Sequence, residues 1–151
     1  MKLFTTKEGN SSIQILNERE EQVGELLFGV INGLKERIKI DNKIYKIKGT
    51  GFLWSDISVF DESGKLVLIT DSSKNRLFYY GNSTEIYTYK YKSWLRKELL
   101  LYDSHDTLVL ALNCKQTLLK MKYKLEVDDD FSQSLIILSF FNFYLRDISG
   151  G

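Results

Sequence analysis

The chain contains no proline in 151 residues, one cysteine and one histidine. Average usage of about 5% would supply several prolines, so nothing of that kind interrupts a succession of strands; the absence carries no functional reading. A lone Cys114 excludes an internal disulfide and favours a reducing compartment. With His105 it also falls short of a zinc site unless several carboxylates join. An excess of either charge is missing too: 21 Lys plus Arg stand against 20 Asp plus Glu, a net charge of +1. No global pull toward nucleic acid or membrane follows, and any basic surface must be local. Long apolar runs are likewise absent. The best, Leu135 to Leu145, is broken by Ser139 and Asn142 and falls well below the ~20 residues of a spanning helix. The start, MKLFTTKEGNSS, has no apolar core of a secretory leader. The expected protein is cytoplasmic, free or peripheral to a membrane, with no transmembrane segment.

What is present is a repeat. FDESGKLVLI at residues 60–69 returns as YDSHDTLVLA at 102–111, and a fainter copy, ILNEREEQV, comes earlier. The anchoring residues Asn17, Asp61 and Asp103 are spaced by 44 and then 42 residues. The match runs ungapped between the later copies: Ile44 and Tyr45 fall on Ile86 and Tyr87, and Leu66, Val67 and Leu68 on Leu108, Val109 and Leu110. Each copy spells a β-hairpin. β-Branched segments flank a polar turn in which Asp or Asn bonds its own downstream backbone, and Gly64 can supply positive φ. The flanks alternate, with Tyr87, Tyr89 and Tyr91 opposite Thr88, Lys90 and Lys92, and Met121, Tyr123, Leu125 and Val127 opposite lysines. One wet face and one buried face signal antiparallel sheet. With 43% hydrophobic and 27% charged residues, the chain is expected to form a single domain over 1–151. Its hairpin repeats fall near 13–28, 43–71 and 85–113. Three units of this length are too few for a propeller and suit one barrel.

The tail DDDFSQSLIILSFFNFYLRD reads as a helix over 131–146. Asp130 or Ser132 offers an N-cap, the three aspartates complement the N-terminus, and Arg146 suits the other end. Its apolar residues, Phe131, Leu135, Ile136, Leu138, Phe140, Phe141 and others, cover the whole circumference, so it must be buried on all sides. The expected fold is mainly β: an antiparallel barrel of about 12 strands enclosing a C-terminal hydrophobic helix.

FDESGKLVLI, YDSHDTLVLA, the late strand KYKLEVDDDF and the closing SLIILSFFNFYL together resemble the tubby C-terminal-like fold, nearest its LURP-one-related and phospholipid scramblase branch. The resemblance covers roughly residues 11–147 and implies a 12-stranded barrel around a hydrophobic helix. In tubby it further implies phosphoinositide headgroup binding through Lys and Arg, but that pair does not map onto particular positions here. The acidic calcium segment of scramblases has no clear counterpart. Asp128, Asp129 and Asp130 lack alternating oxygen ligands and a Gly turn, and function is not inherited from a fold.

Enzyme signatures are scarce, and the chain is expected not to be an enzyme and to need no cofactor or metal. His105 sits in a predicted turn, in the slot of Ser63. Cys114 reads as a small hydrophobe, and the GxG of KGTGFLW bends a strand rather than cradling phosphate. The best candidate site is basic. Lys46 and Lys48 share a strand face, Lys90 and Lys92 share another with Arg96 and Lys97 beyond, and Lys120, Lys122 and Lys124 form a third row. On neighbouring strands these rows would build a stripe for anionic lipid headgroups; as plain solvated faces they would guard against edge pairing. The expected function is a non-enzymatic binding module for anionic phospholipid or phosphoinositide. The alternatives are a protein-interaction scaffold using exposed aromatics such as Trp54, Tyr79 and Tyr80, or a lipocalin-like carrier. Nucleic acid is not an expected partner.

Overall fold

The structure is a computed structural model and describes residues 1–29, 36–92 and 98–150. Twelve strands follow one another: β1 (Lys2–Glu8), β2 (Ser12–Leu16), β3 (Gln22–Leu27), β4 (Arg37–Ile40), β5 (Lys43–Thr50), β6 (Asp56–Phe60), β7 (Leu66–Asp71), β8 (Arg76–Tyr80), β9 (Thr84–Tyr91), β10 (Glu98–Tyr102), β11 (Leu108–Gln116) and β12 (Met121–Val127). Each pairs antiparallel with the next, and β1 closes the barrel on β12 with Lys2 opposite Val127 and Thr5 opposite Lys124. Among the described strands, closure leaves no edge exposed to template another chain.

The repeated phrase is the second hairpin of each four-strand third. β2–β3, β6–β7 and β10–β11 turn on the same device. Asn17 Oδ1 accepts from the N–H groups of Arg19 (2.9 Å) and Glu21 (3.0 Å). Asp61 Oδ1 accepts from Ser63 and Lys65 (3.0 and 2.9 Å), and Asp103 Oδ1 from His105 and Thr107 (2.9 and 3.0 Å). Three residues after each anchor the backbone enters positive φ, at Glu20 (61°), Gly64 (87°) and Asp106 (59°). The register also slips just before each anchor, at Ile15/Leu16, Val59/Phe60 and Leu101/Tyr102. A bulge with a left-handed turn residue is how a short hairpin matches the twist of its strands.

Helix α1 (Ser134–Gly150) fills the lumen. From Leu135 to Tyr144 every residue is buried, and the helix touches β3, β4, β6, β7 and β11, strands on different sides of the wall. Phe140, Phe141 and Tyr144 are fully enclosed. Tyr89 packs against Phe140 and Phe143 with ring centroids 5.8 and 5.1 Å apart, and Tyr123 meets Phe141 edge-on at 5.2 Å. The inward tyrosines of β9 and β12 thus meet the helix that the all-apolar tail required.

The helix starts later than its capping residues suggested. Neither Asp130 nor Ser132 caps it; the first helical bond runs from Ile137 N–H to the Gln133 carbonyl (3.1 Å). Residues 128–133 are instead the path from wall to lumen. Phe131 N–H is held by the Asp128 carbonyl (3.0 Å), and the Phe131 ring sits edge-on to Tyr87 at 6.1 Å. At its far end the helix runs past Arg146 to Gly150.

Because the strands meander, the barrel has two distinct ends. Turns β2–β3, β4–β5, β6–β7, β8–β9 and β10–β11 lie at the end where α1 enters, here called the Asx end. Connections β1–β2, β5–β6, β7–β8 and β11–β12, and the C-terminal ends of β3 and β9, lie at the exit end, where α1 emerges.

Candidate functional site

The predicted basic rows do not form one stripe. Lys46 and Lys48 point outward from β5 and Lys90 from β9, with Lys92 just beyond its end and three strands between the two rows. At the usual strand spacing that is roughly 19 Å along the wall. Lys120, Lys122 and Lys124 belong to β12 and its approach, beside β1 and β11. Sequence offset had suggested neighbours, but in a meander equivalent strands of successive repeats are spread around the circumference. Lys90 is further engaged over the Tyr102 ring, 5.1 Å from its centroid, and Lys92 faces Glu98 at 3.7 Å. Arg96, Lys97 and Trp94 lie outside the described residues.

A tighter cationic cluster forms where β4 meets β5. Arg37 stands directly opposite Lys46, Lys39 follows on β4, and Lys48 follows on β5. Ile38, Ile47 and the half-buried Tyr45 take the alternate positions on the core side. Like charges directly opposite across two strands repel. Among the described residues none of the four makes an ion pair; Glu25 stands opposite Lys39 without closing to one. Sequence reading found Lys46 and Lys48 but passed over Arg37 and Lys39. The signal was the strict alternation of RIKI, too short to stand out alone.

Among the described residues, two loops at the exit end present apolar side chains to water. After Gly51 (φ 74°), Phe52, Leu53 and Trp54 form a 3-10 turn, with 84%, 79% and 66% of their surface exposed. Leu53 and Trp54 hold φ of 56° and 58°, a left-handed backbone costing roughly 1–2 kcal/mol per non-glycine residue. The turn is fastened by Ser55 Oγ donating to the Phe52 carbonyl (2.9 Å) and by Arg146 donating to the Trp54 carbonyl (3.4 Å). A Cβ on Gly49 would lie 2.9 Å from Arg146 and 3.2 Å from Trp54, so the bare backbone lets these side chains close over β5. The second loop is Thr117–Lys120, whose Leu118 and Leu119 are wholly exposed. Of the aromatics expected on the surface, Trp54 is there, while Tyr79 and Tyr80 are half-buried.

Beneath these loops the exit end is tied by buried polar groups. Asp56 accepts from Thr70 Oγ1 (2.9 Å), Ser72 N–H (2.9 Å) and Ser72 Oγ (2.8 Å), and Thr70 Oγ1 takes the Ile57 N–H (3.0 Å). Asn142, the polar break in the apolar run, donates to Glu36 and accepts from Arg146 Nε (3.0 Å). Arg146 closes the ring on Glu36 at 3.2 Å. These groups satisfy one another and offer no reactive arrangement. In the lumen, burial pushes the phenols of Tyr87, Tyr89 and Tyr144 well above the ordinary value of 10.0. A hydrogen bond with Glu85 adds to the effect at Tyr87, and one with the half-buried Cys114 thiol adds to it at Tyr144. His105 occupies the exposed turn position equivalent to Ser63. Among the described residues no cluster of His, Cys, Asp or Glu is placed to hold a metal, and no helix is long and apolar enough to cross a membrane.

Fold and surface together define a closed 12-strand antiparallel barrel around a C-terminal helix, with the cationic cluster on its outer wall. No protein-family model and no curated protein matches the chain. Among solved structures it is similar to the X-ray structure of a protein from Arabidopsis thaliana, with 11% identity, a TM-score of 0.43, and coverage of 98% of this chain and 91% of that one. Nothing about function passes between the two at that level of likeness.

Proposed function

We propose that the chain is a non-enzymatic module that binds anionic phospholipid headgroups through the β4–β5 face. The observation that carries this reading is the cross-strand pair Arg37–Lys46, extended by Lys39 and Lys48, with no ion pair to any carboxylate among the described residues. Four cations on adjacent strands suit a phosphate group, and each cation near an anionic leaflet contributes about 1 kcal/mol. Support of a weaker kind comes from the resemblance of the hairpin phrases and the closing apolar helix to the tubby C-terminal-like group, in its LURP-one-related and scramblase branch. The test is co-sedimentation with phosphatidylserine or phosphoinositide vesicles at low salt. Replacing both Arg37 and Lys46 by Glu is expected to weaken binding by at least about tenfold; binding that ignores both changes, or no binding at all, refutes the reading.

A protein-interaction role has one specific observation in its favour. Ile69, Phe78 and Ile86 stand in register on the outer wall of β7, β8 and β9. That role predicts a partner retained after the β4–β5 charges are reversed. A lipocalin-like carrier finds less support, since Phe140, Phe141 and Tyr144 occupy the space its ligand would need.

A further inference from the structure

The exit end combines exposed apolar tips with cations, and two turns at the Asx end are rich in carboxylates. We propose that the exit end inserts Phe52–Trp54 and Leu118–Leu119 into the interfacial layer of an anionic bilayer. This rests on the lipid-binding reading above and adds which end of the barrel faces the membrane and what enters it.

A single exposed leucine needs no explanation, but clustered apolar side chains on protruding loops mark an interaction site. Here two loops at the same end expose them, one in a backbone held left-handed at two non-glycine residues. Trp54 is the side chain that favours the headgroup level of a bilayer. The leucine tip is ringed by cations: Lys120 adjoins it, and Lys115 stands opposite Lys122 at the base of the same hairpin. The like-charged pair is relieved by phosphate rather than by an apolar protein groove. At the other end Glu18, Glu20, Glu21, Asp103 and Asp106 crowd two of the turns. An anionic surface repels that end, so charge alone orients the barrel with its tips down.

The experiment uses the full chain carrying Trp94→Phe, leaving Trp54 as the single tryptophan, with phosphatidylcholine vesicles with and without phosphatidylserine. On the anionic vesicles Trp54 emission is expected to move to the blue and to be quenched by bromine-labelled acyl chains. L118S/L119S and F52S/L53S are each expected to lower partitioning by about tenfold with an unchanged circular dichroism spectrum, because these side chains touch water and not the core. Vesicle binding that leaves Trp54 in water, or tip variants that bind like the parent, overturns insertion and assigns the tips to a protein partner. The headgroup reading survives that result if R37E/K46E still weakens binding. Loss with the tip variants but not with R37E/K46E leaves insertion standing and removes the β4–β5 face. No binding to anionic vesicles at low salt removes both.

Discussion

The anchors of the three repeated turns and the polar groups beneath the exit-end tips make different kinds of bond. At the Asx end each anchor reaches only its own turn: Asn17, Asp61 and Asp103 bind N–H groups two and four residues onward. Beneath the exit-end tips, Asp56 and Arg146 reach further. Asp56 holds Thr70 and Ser72, and Arg146 holds Glu36, 110 residues away in sequence, and the Trp54 carbonyl. Local bonds define a turn wherever the chain happens to be. The Asp56 bonds exist once β6 has paired with β7, and the Arg146 bonds only once the helix lies inside the barrel. The Arg146 tie ends on the Trp54 carbonyl, so the Phe52–Trp54 tip is joined directly to the helix.

The contrast can be erased or sharpened by experiment. Deprotonating the lumen should remove both ends together. The raised phenols of Tyr87, Tyr89 and Tyr144 favour the neutral form in the folded state. Their contribution is complete below the ordinary value of 10.0 and is lost as pH rises toward the folded values, by up to about 1.4 kcal/mol per pH unit for each tyrosine. Urea midpoints should therefore be steady through neutral pH and fall steeply above 10.0; a flat profile there would show the phenols reach water. Next in size is Asp56→Ala, which strands the buried Thr70 hydroxyl and takes the acceptor from the part-buried Ser72 N–H, and should cost about 3 kcal/mol by chemical denaturation. Arg146→Met leaves Glu36 and Asn142 without their cation and should cost about 2 kcal/mol, less than a fully buried pair because both partners touch water. Smallest is Asn17→Ala at the Asx end, about 1 kcal/mol for two backbone donors returned to solvent. If Asn17→Ala proved costlier than Asp56→Ala, the division into local anchors and longer-range ties would fail.

That division also explains what could be read from the sequence. The three turns were legible because their bonds are made by residues within one phrase, so chemistry and spacing coincide. The buried helix was legible from its circumference alone. Its start was not, because the Asp128–Phe131 turn depends on Phe131 meeting Tyr87, a contact no local pattern encodes. The β4–β5 cluster was half legible: Lys46 and Lys48 alternate visibly, whereas Arg37 becomes their neighbour only through register. The expected union of Lys48 with Lys90 failed because a repeat of four strands sets equivalent positions four strands apart. The exposed tips carried a faint signal, since TLLK and GFLW place apolar residues where turns are ordinarily polar.

Closure of β1 on β12 also governs how the molecule comes to exist. Lys2 finds Val127, so the wall cannot be completed until the chain has been made nearly to its helix. The segment that fills the lumen is the last described element to emerge. Contacts of such sequence separation close slowly. Until they close, eleven adjacent strand pairs form an open sheet with two unpaired edges and a bare apolar face. A chain interrupted before Ser134 would remain in that state, with every turn correctly formed and nothing to wrap around, and would be an aggregating species rather than a smaller version of the same protein.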